Sequence, residues 1–313
     1  MRHTVMKRAL LKWFLKTLLL LAFLVCIFIL FISFKDYSSY FQSTRGTQAS
    51  ISIQQYACDA LTQRSWLTIN ANTGFNVQAG LLTPRDSNKR YPAIILLGGK
   101  ATGKYAIDYA LNIDNVIILA LDYPYAPRES YTLWTILWDM PRVRKALFDM
   151  VPSAVLAADY LFSRDDVDTT RLIILGYSFG APFVPAIVAH DRRAAAAVMV
   201  YGGGELTSMI RHNVARYESA WLSEFIGRLG GALLHPLEPM IYADKISPIP
   251  FIMINGANDE QIPRYNTELF FNAAREPKKL IWLKSQHVRP DNEDLTRHII
   301  DSLKEELKRL KIL

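Results

Sequence analysis

The longest hydrophobic feature is an unbroken apolar run, Thr17–Phe34 (TLLLLAFLVCIFILFISF), which carries no charge. As a helix it would be about 27 Å long, close to the hydrocarbon thickness of a bilayer. Arg2, Lys7, Arg8, Lys12 and Lys16 precede it and predict a cytoplasmic N-terminus. The run ends Ile32-Ser33-Phe34-Lys35, without a small-x-small cleavage pattern. An uncleaved signal anchor is therefore expected, with a cleaved signal peptide as the alternative. Trp13, Tyr37 and Tyr40 stand where interfacial aromatics are useful. The expected organisation is a basic cytoplasmic segment at 1–16, a transmembrane anchor at 17–34, a Ser/Gln/Thr-rich tether at 35–63 with a short helix as a further option, and an exported domain at 64–313.

Beyond the tether the pattern changes. Trp66–Asn70 and Phe75–Thr83 predict a hairpin closed by Asn72-Thr73-Gly74. Short, nearly continuous apolar runs follow at Ala93–Leu97, Val116–Leu121, Leu172–Leu175, Ala195–Tyr201, Phe251–Asn255 and Leu280–Leu283. Such runs predict strands buried on both faces of a parallel sheet. Helical periodicity separates them at Lys104–Leu111, Leu133–Met150, Ser153–Phe162, Pro182–Ala189, Arg264–Ala274 and Asp291–Leu310. The alternation predicts an α/β architecture with right-handed crossovers. Residues 205–244 hold only helix-like pattern between two strands, too long for an ordinary connection, and read as a helical cap insertion.

Charge refines the picture. The net charge is +7, but Arg2, Lys7, Arg8, Lys12, Lys16 and Lys35 precede any acid. Removing these six leaves 30 Lys and Arg against 29 Asp and Glu, so the rest of the chain is near neutral. The basic excess belongs to the N-terminus and does not indicate a nucleic-acid partner. Cys26 and Cys58 support neither a disulfide framework nor a cysteine zinc site. No metal-binding, phosphate-loop or dinucleotide signature is present, and no cofactor is expected.

The chemistry centres on Gly176-Tyr177-Ser178-Phe179-Gly180, between the strand Leu172–Leu175 and a helix expected to open near Ala181. A sharp strand-to-helix turn forces its serine into a strained conformation and presents the hydroxyl at the carboxyl edge of the sheet. This text, with Arg90-Tyr91-Pro92-Ala93, Leu97-Gly98-Gly99, Asp168-Thr169-Thr170-Arg171 and Asn255-Gly256-Ala257-Asn258-Asp259-Glu260-Gln261-Ile262-Pro263, resembles the α/β-hydrolase superfamily over about residues 64–310. The resemblance is greatest to its dienelactone-hydrolase-like and small serine esterase branches. It implies an α/β-hydrolase fold: a mostly parallel central sheet, helices on both faces, and here a cap and an N-terminal transmembrane helix. Dienelactone hydrolases carry cysteine at the elbow; Ser178 points instead to serine esterase chemistry.

A serine hydroxyl needs a base to take its proton and a third group to hold that base. The superfamily order is serine, acid, histidine. Asp259 follows the strand Phe251–Asn255 and matches the acid position; Glu205, directly after Ala195–Tyr201, is the competitor. His287 follows Leu280–Leu283 and is the histidine in a post-strand loop after the acid. The oxyanion hole is expected from the backbone N–H of Phe179 and that of Gly99 or Lys100. Trp134 and Trp138, one helical turn apart, read as packing residues, with an acyl pocket or membrane contact as the alternative. The resemblance implies a serine hydrolase for a small-molecule ester or thioester. A serine peptidase and a non-catalytic binding module of the same fold are the alternatives. Absence of an Asn-x-Ser/Thr sequon leans toward a bacterial, hence periplasmic, domain.

Overall fold

A computed structural model describes residues 2–86, 88–100, 102–109, 115–125, 133–289 and 291–313. The chain opens with helices α1 (Arg2–Phe34) and α2 (Ser38–Arg45). Strands β1 (Gln48–Cys58), β2 (Thr62–Ala71), β3 (Asn76–Pro84), β4 (Tyr91–Leu97) and β5 (Ile117–Leu121) follow. Then come α3 (Leu133–Phe162), β6 (Val167–Tyr177), α4 (Val184–His190) and β7 (Ala196–Val200). After α5 (Leu206–Val214) and α6 (Ala220–Leu234), the chain ends with β8 (Phe251–Gly256), α7 (Arg264–Ala273), β9 (Lys278–Leu283) and α8 (Glu293–Arg309).

The strands form one sheet in the order β1-β2-β3-β5-β4-β6-β7-β8-β9. The β2–β3 hairpin is antiparallel, and everything from β5 to β9 is parallel. Both faces of the parallel part are covered, which is why its sequence runs are continuously apolar. Ile95, Leu97, Leu119 and Ile174 face one core with α3 and α4. Ile94, Ile118, Ile173 and Leu175 face the other, with α8 and a 3-10 helix at Gly103–Tyr109. That 3-10 turn replaces the helix expected at Lys104–Leu111, whose last two residues lie outside the described set.

Two expected helices, Leu133–Met150 and Ser153–Phe162, form the single α3, which runs through Pro141 and Pro152. Proline removes a helical hydrogen bond. The cost is offset by burial of Phe148, Met150, Val151, Leu156 and Leu161, each apolar side chain contributing about 1.5–3 kcal/mol.

The expected tether at 35–63 is corrected: most of it is folded, and the domain begins well before residue 64. In α2, Phe41 is buried against α3, its ring beside Phe148 and His190. Tyr40 Oη donates to Asp149 at 2.5 Å, and Lys145 holds the other carboxylate oxygen at 2.6 Å. Strand β1 pairs antiparallel with β2 and adds an edge to the sheet. Its residues are nearly all exposed, so the alternation Ala49-Ser50-Ile51-Ser52-Ile53-Gln54 marks a strand without a buried face. Backbone pairing places it, together with Tyr56, which stacks on Trp66 and donates to Asp108 at 3.0 Å.

Leu11–Phe34 is long and apolar enough to cross a membrane, and it lies near the N-terminus, where a signal sequence would also lie. Its side chains are exposed until its end, where Ile29, Ile32 and Ser33 meet the domain. Ser33 Oγ donates to the Ala232 carbonyl at 2.6 Å, and His235 Nδ1 bonds the Ser33 carbonyl at 3.0 Å. Arg144 bridges the Leu233 carbonyl and Tyr37 Oη, each at 2.8 Å. The helix thus leads directly into the domain through packed contacts.

Candidate active site

Ser178 closes β6 with φ +50°, a left-handed backbone that a non-glycine residue occupies only under constraint. The constraint is close packing. A Cβ on Gly176 would sit 2.5 Å from the Gly180 carbonyl oxygen, and one on Gly180 would sit 2.1 Å from that of Leu97. Only glycine allows this strand, turn and neighbour to approach so closely. The turn continues as a 3-10 helix over Ser178–Phe183 before α4 begins at Val184, later than the helix expected near Ala181.

The parallel sheet brings three strand ends together. Ser178 Oγ lies 2.7 Å from His287 Nε2. His287 Nδ1 lies 2.8 Å from Asp259 Oδ2 and 3.0 Å from Oδ1. Asp259 and His287 are almost fully buried, which strengthens the attraction between their polar groups. Asp259 Oδ1 also accepts the backbone N–H groups of Gln261 at 2.7 Å and Ile262 at 2.9 Å, fixing the carboxylate plane. The competing acid, Glu205, is engaged elsewhere: its carboxylate accepts from Ser208 Oγ at 3.0 Å.

Gly99 lies beside the serine, with its Cβ position 4.0 Å from Ser178 Cβ. Its carbonyl is turned away, accepting Thr102 N–H and Oγ1, both at 3.0 Å. The Gly98 carbonyl accepts Tyr123 Oη at 2.5 Å. Lys100 is exposed at the rim, and Phe179 follows the serine, its ring edge-on to Tyr123. All six residues singled out from sequence therefore lie at one edge of the sheet.

Three supporting residues were not legible in the sequence. Glu260 Oε2 accepts the backbone N–H of His287 at 3.0 Å. Burial works against its charge, but that bond and its own backbone N–H hold its carboxyl below the ordinary value. Tyr201, at φ +56°, sets its ring edge against the His287 imidazole and bonds Ser285 through its hydroxyl. Tyr123 steadies the Gly98 loop; burial, with Asp122 nearby, pushes its phenol well above the usual range. Adjacency to Asp259 was the one available signal for Glu260. Tyr201 and Tyr123 are distant in sequence from what they touch.

The insertion is present, but its position differs from a lid over the serine. His212 Nε2 bonds the Glu260 carbonyl at 3.0 Å, and Asn213 Nδ2 donates to the Gln261 carbonyl at 2.8 Å. Helix α5 thus buttresses the acid loop, while α6 meets the end of α1. A cavity of about 310 Å³ opens at Ser178 and His287, and its walls come from β4, β5, β6 and α8, none from 205–244. Trp138 is exposed on α3; the side chain of Trp134 lies outside the described residues.

The sequence profile of the prolyl oligopeptidase family (peptidase S9) matches residues 150–300, just under half of the chain. The protein YfhR of Salmonella typhi is 30% identical over 131 residues, covering 41% of this chain and 43% of that protein. The α/β hydrolase domain-containing protein WAV2 of Arabidopsis thaliana is 26% identical over 138 residues, covering 41% and 44%. The match thus spans less than half the length of these relatives. Among solved structures, acetyl xylan esterase 1 from Thermoanaerobacterium sp. JW/SL YS485 superposes with a TM-score of 0.62 at 14% identity, covering 89% of this chain and 94% of that one. An acetyl xylan esterase from Paenibacillus sp. R4 gives 0.60 at 16%, covering 87% and 94%. At such identity the likeness speaks for the fold.

Proposed function

For a chain of the α/β-hydrolase superfamily, we propose a membrane-anchored serine hydrolase that cleaves carboxylic esters or thioesters. The observation that carries this reading is the unbroken hydrogen-bonded path from Ser178 Oγ through His287 to Asp259. Ser178 Oγ attacks the substrate carbonyl carbon while His287 Nε2 takes the hydroxyl proton. Asp259 holds the Nδ1–H tautomer and stabilises the imidazolium. The oxyanion is received by the N–H of Phe179 and that of Gly99 or Lys100. Collapse breaks the bond to the alcohol or thiol, which leaves with the proton from Nε2. Water then repeats the sequence on the acyl-enzyme, releasing the acid and restoring the serine.

The family match favours a second reading, a serine peptidase. The cavity argues for the ester: an apolar slot leaves peptide N–H and C=O groups unpaired, at about 1–3 kcal/mol each. Residues 17–34 would anchor the protein in the membrane. The basic residues before them would keep the N-terminus cytoplasmic and place the domain on the exported side. A small-molecule substrate and the lipid bilayer are the partners proposed.

The test is covalent labelling of the full chain by a fluorophosphonate, beside Ser178→Ala. Labelling confined to the parent chain supports an activated serine. A folded parent that stays unlabelled would leave the non-catalytic binding module. Hydrolysis of peptide anilides faster than of matched esters would favour the peptidase.

A further inference from the structure

We infer that the site takes a substrate with a linear hydrocarbon chain of about eight to ten carbons, and that this chain lies in the cavity between the sheet and α8. The inference rests on the hydrolase reading for its chemistry, but the cavity stands on its own geometry. Ile94, Leu96 and Gly98 alternate along β4 and line the same wall. From Gly98, just past the end of β4 and next in the chain to Gly99 beside the serine, to Ile94 is four residues, or roughly 13 Å of extended chain. The opposite wall is α8, from Thr296 at the rim to Leu303 at depth, about 10 Å at helical rise. The cavity is thus a slot running from Ser178 down the inner face of the sheet.

Its depth is apolar: Ile94, Ile118, Leu175, Ile299 and Leu303 are all buried core residues. Charge is confined to the opening, at Lys100 and Arg289. Tyr177 also lines the slot, and its buried hydroxyl has no hydrogen-bond partner among the described residues. Below its opening the slot has few groups to pair with a sugar or a peptide, whereas methylenes gain from leaving water. Length sets the chain. An extended chain advances about 1.2 Å per bond, so 10–13 Å holds some eight to ten bonds.

The chain can belong to the acyl group or to the alcohol, and two substrate series separate these sources. One varies the acyl group on a constant nitrophenol, from acetate to laurate. The other varies the alcohol on a constant acetate. With full-length protein in lipid nanodiscs, kcat/KM is expected to climb about three- to fourfold per methylene in one series, to eight or ten carbons, and then fall. Ala106, on the slot wall, is replaced in Ala106→Phe, and Thr296 at the rim in Thr296→Phe. Each is expected to lower the decyl-to-acetyl ratio at least 30-fold while the serine still takes the fluorophosphonate. A flat or falling dependence in both series from labelled protein overturns the inference. Calorimetric binding of a decanoate ester to Ser178→Ala reads the slot without turnover. Tight binding there, abolished by Ala106→Phe, supports the slot even if the parent serine fails to label. No binding overturns the inference independently of the serine.

Discussion

Asp259→Asn tests the proposed chemistry most sharply, because the geometry dictates how the new side chain must sit. Asp259 Oδ1 accepts two backbone N–H groups, from Gln261 and Ile262. An asparagine keeps its carbonyl oxygen there, since turning the amide would bring an NH₂ against two donors. Its Nδ2 then takes the place of Oδ2, 2.8 Å from His287 Nδ1. Two donors meet unless the imidazole moves its proton to Nε2. In that tautomer Nε2 faces Ser178 Oγ as a donor and cannot take the serine proton. A tautomer error of this kind lowers kcat by about 10⁴-fold in a Ser-His-Asp enzyme. The fold should lose little, about 2 kcal/mol at most, because one charge-assisted bond is weakened and the loop bonds survive. The assay is kcat/KM on a nitrophenyl ester together with the urea unfolding midpoint, beside Glu205→Gln. A loss of at least 10³-fold in Asp259→Asn, with less than threefold in Glu205→Gln, is expected. A loss under tenfold in a folded Asp259→Asn protein, or an equal loss in Glu205→Gln, would refute the reasoning.

Phe41→Ala removes a buried ring from the α2–α3 contact and should destabilise the domain by about 3–5 kcal/mol; an unchanged unfolding midpoint would restore the tether. Gly180→Ala places a methyl group 2.1 Å from the Leu97 carbonyl, where backbone must shift; fluorophosphonate labelling should fall more than tenfold even in the fraction that stays folded. Glu260 has a folded carboxyl held below its ordinary 4.5, so its contribution is fully present above that pH and lost as pH falls through the lower folded value. Glu260→Gln should therefore be less stable than the parent at pH 7, with the gap closing below about pH 4; a gap that widens on acidification would contradict the assigned bonds.

What the sequence determined by itself was local. The elbow is legible because Gly176, Ser178 and Gly180 answer a steric demand within five residues. The parallel strands are legible because both faces are covered, leaving continuous apolar runs. The strand ends that carry Ser178, Asp259 and His287 are gathered at one edge by the parallel sheet, and the resemblance supplied the order of the three candidates. The sequence was silent where neither a short motif nor a buried face leaves a trace. Strand β1 lies at the sheet edge with both faces exposed, and it reads as linker. Tyr201 against His287 depends on how distant segments cross. The same is true of Ser33 and His235, which join α1 to α6. The slot beside Ser178 exists only because β4 and α8, some two hundred residues apart, stand one side-chain layer from each other. Periodicity shows that a residue is buried; only the packed structure shows whether what it faces is another side chain or a space shaped for a substrate.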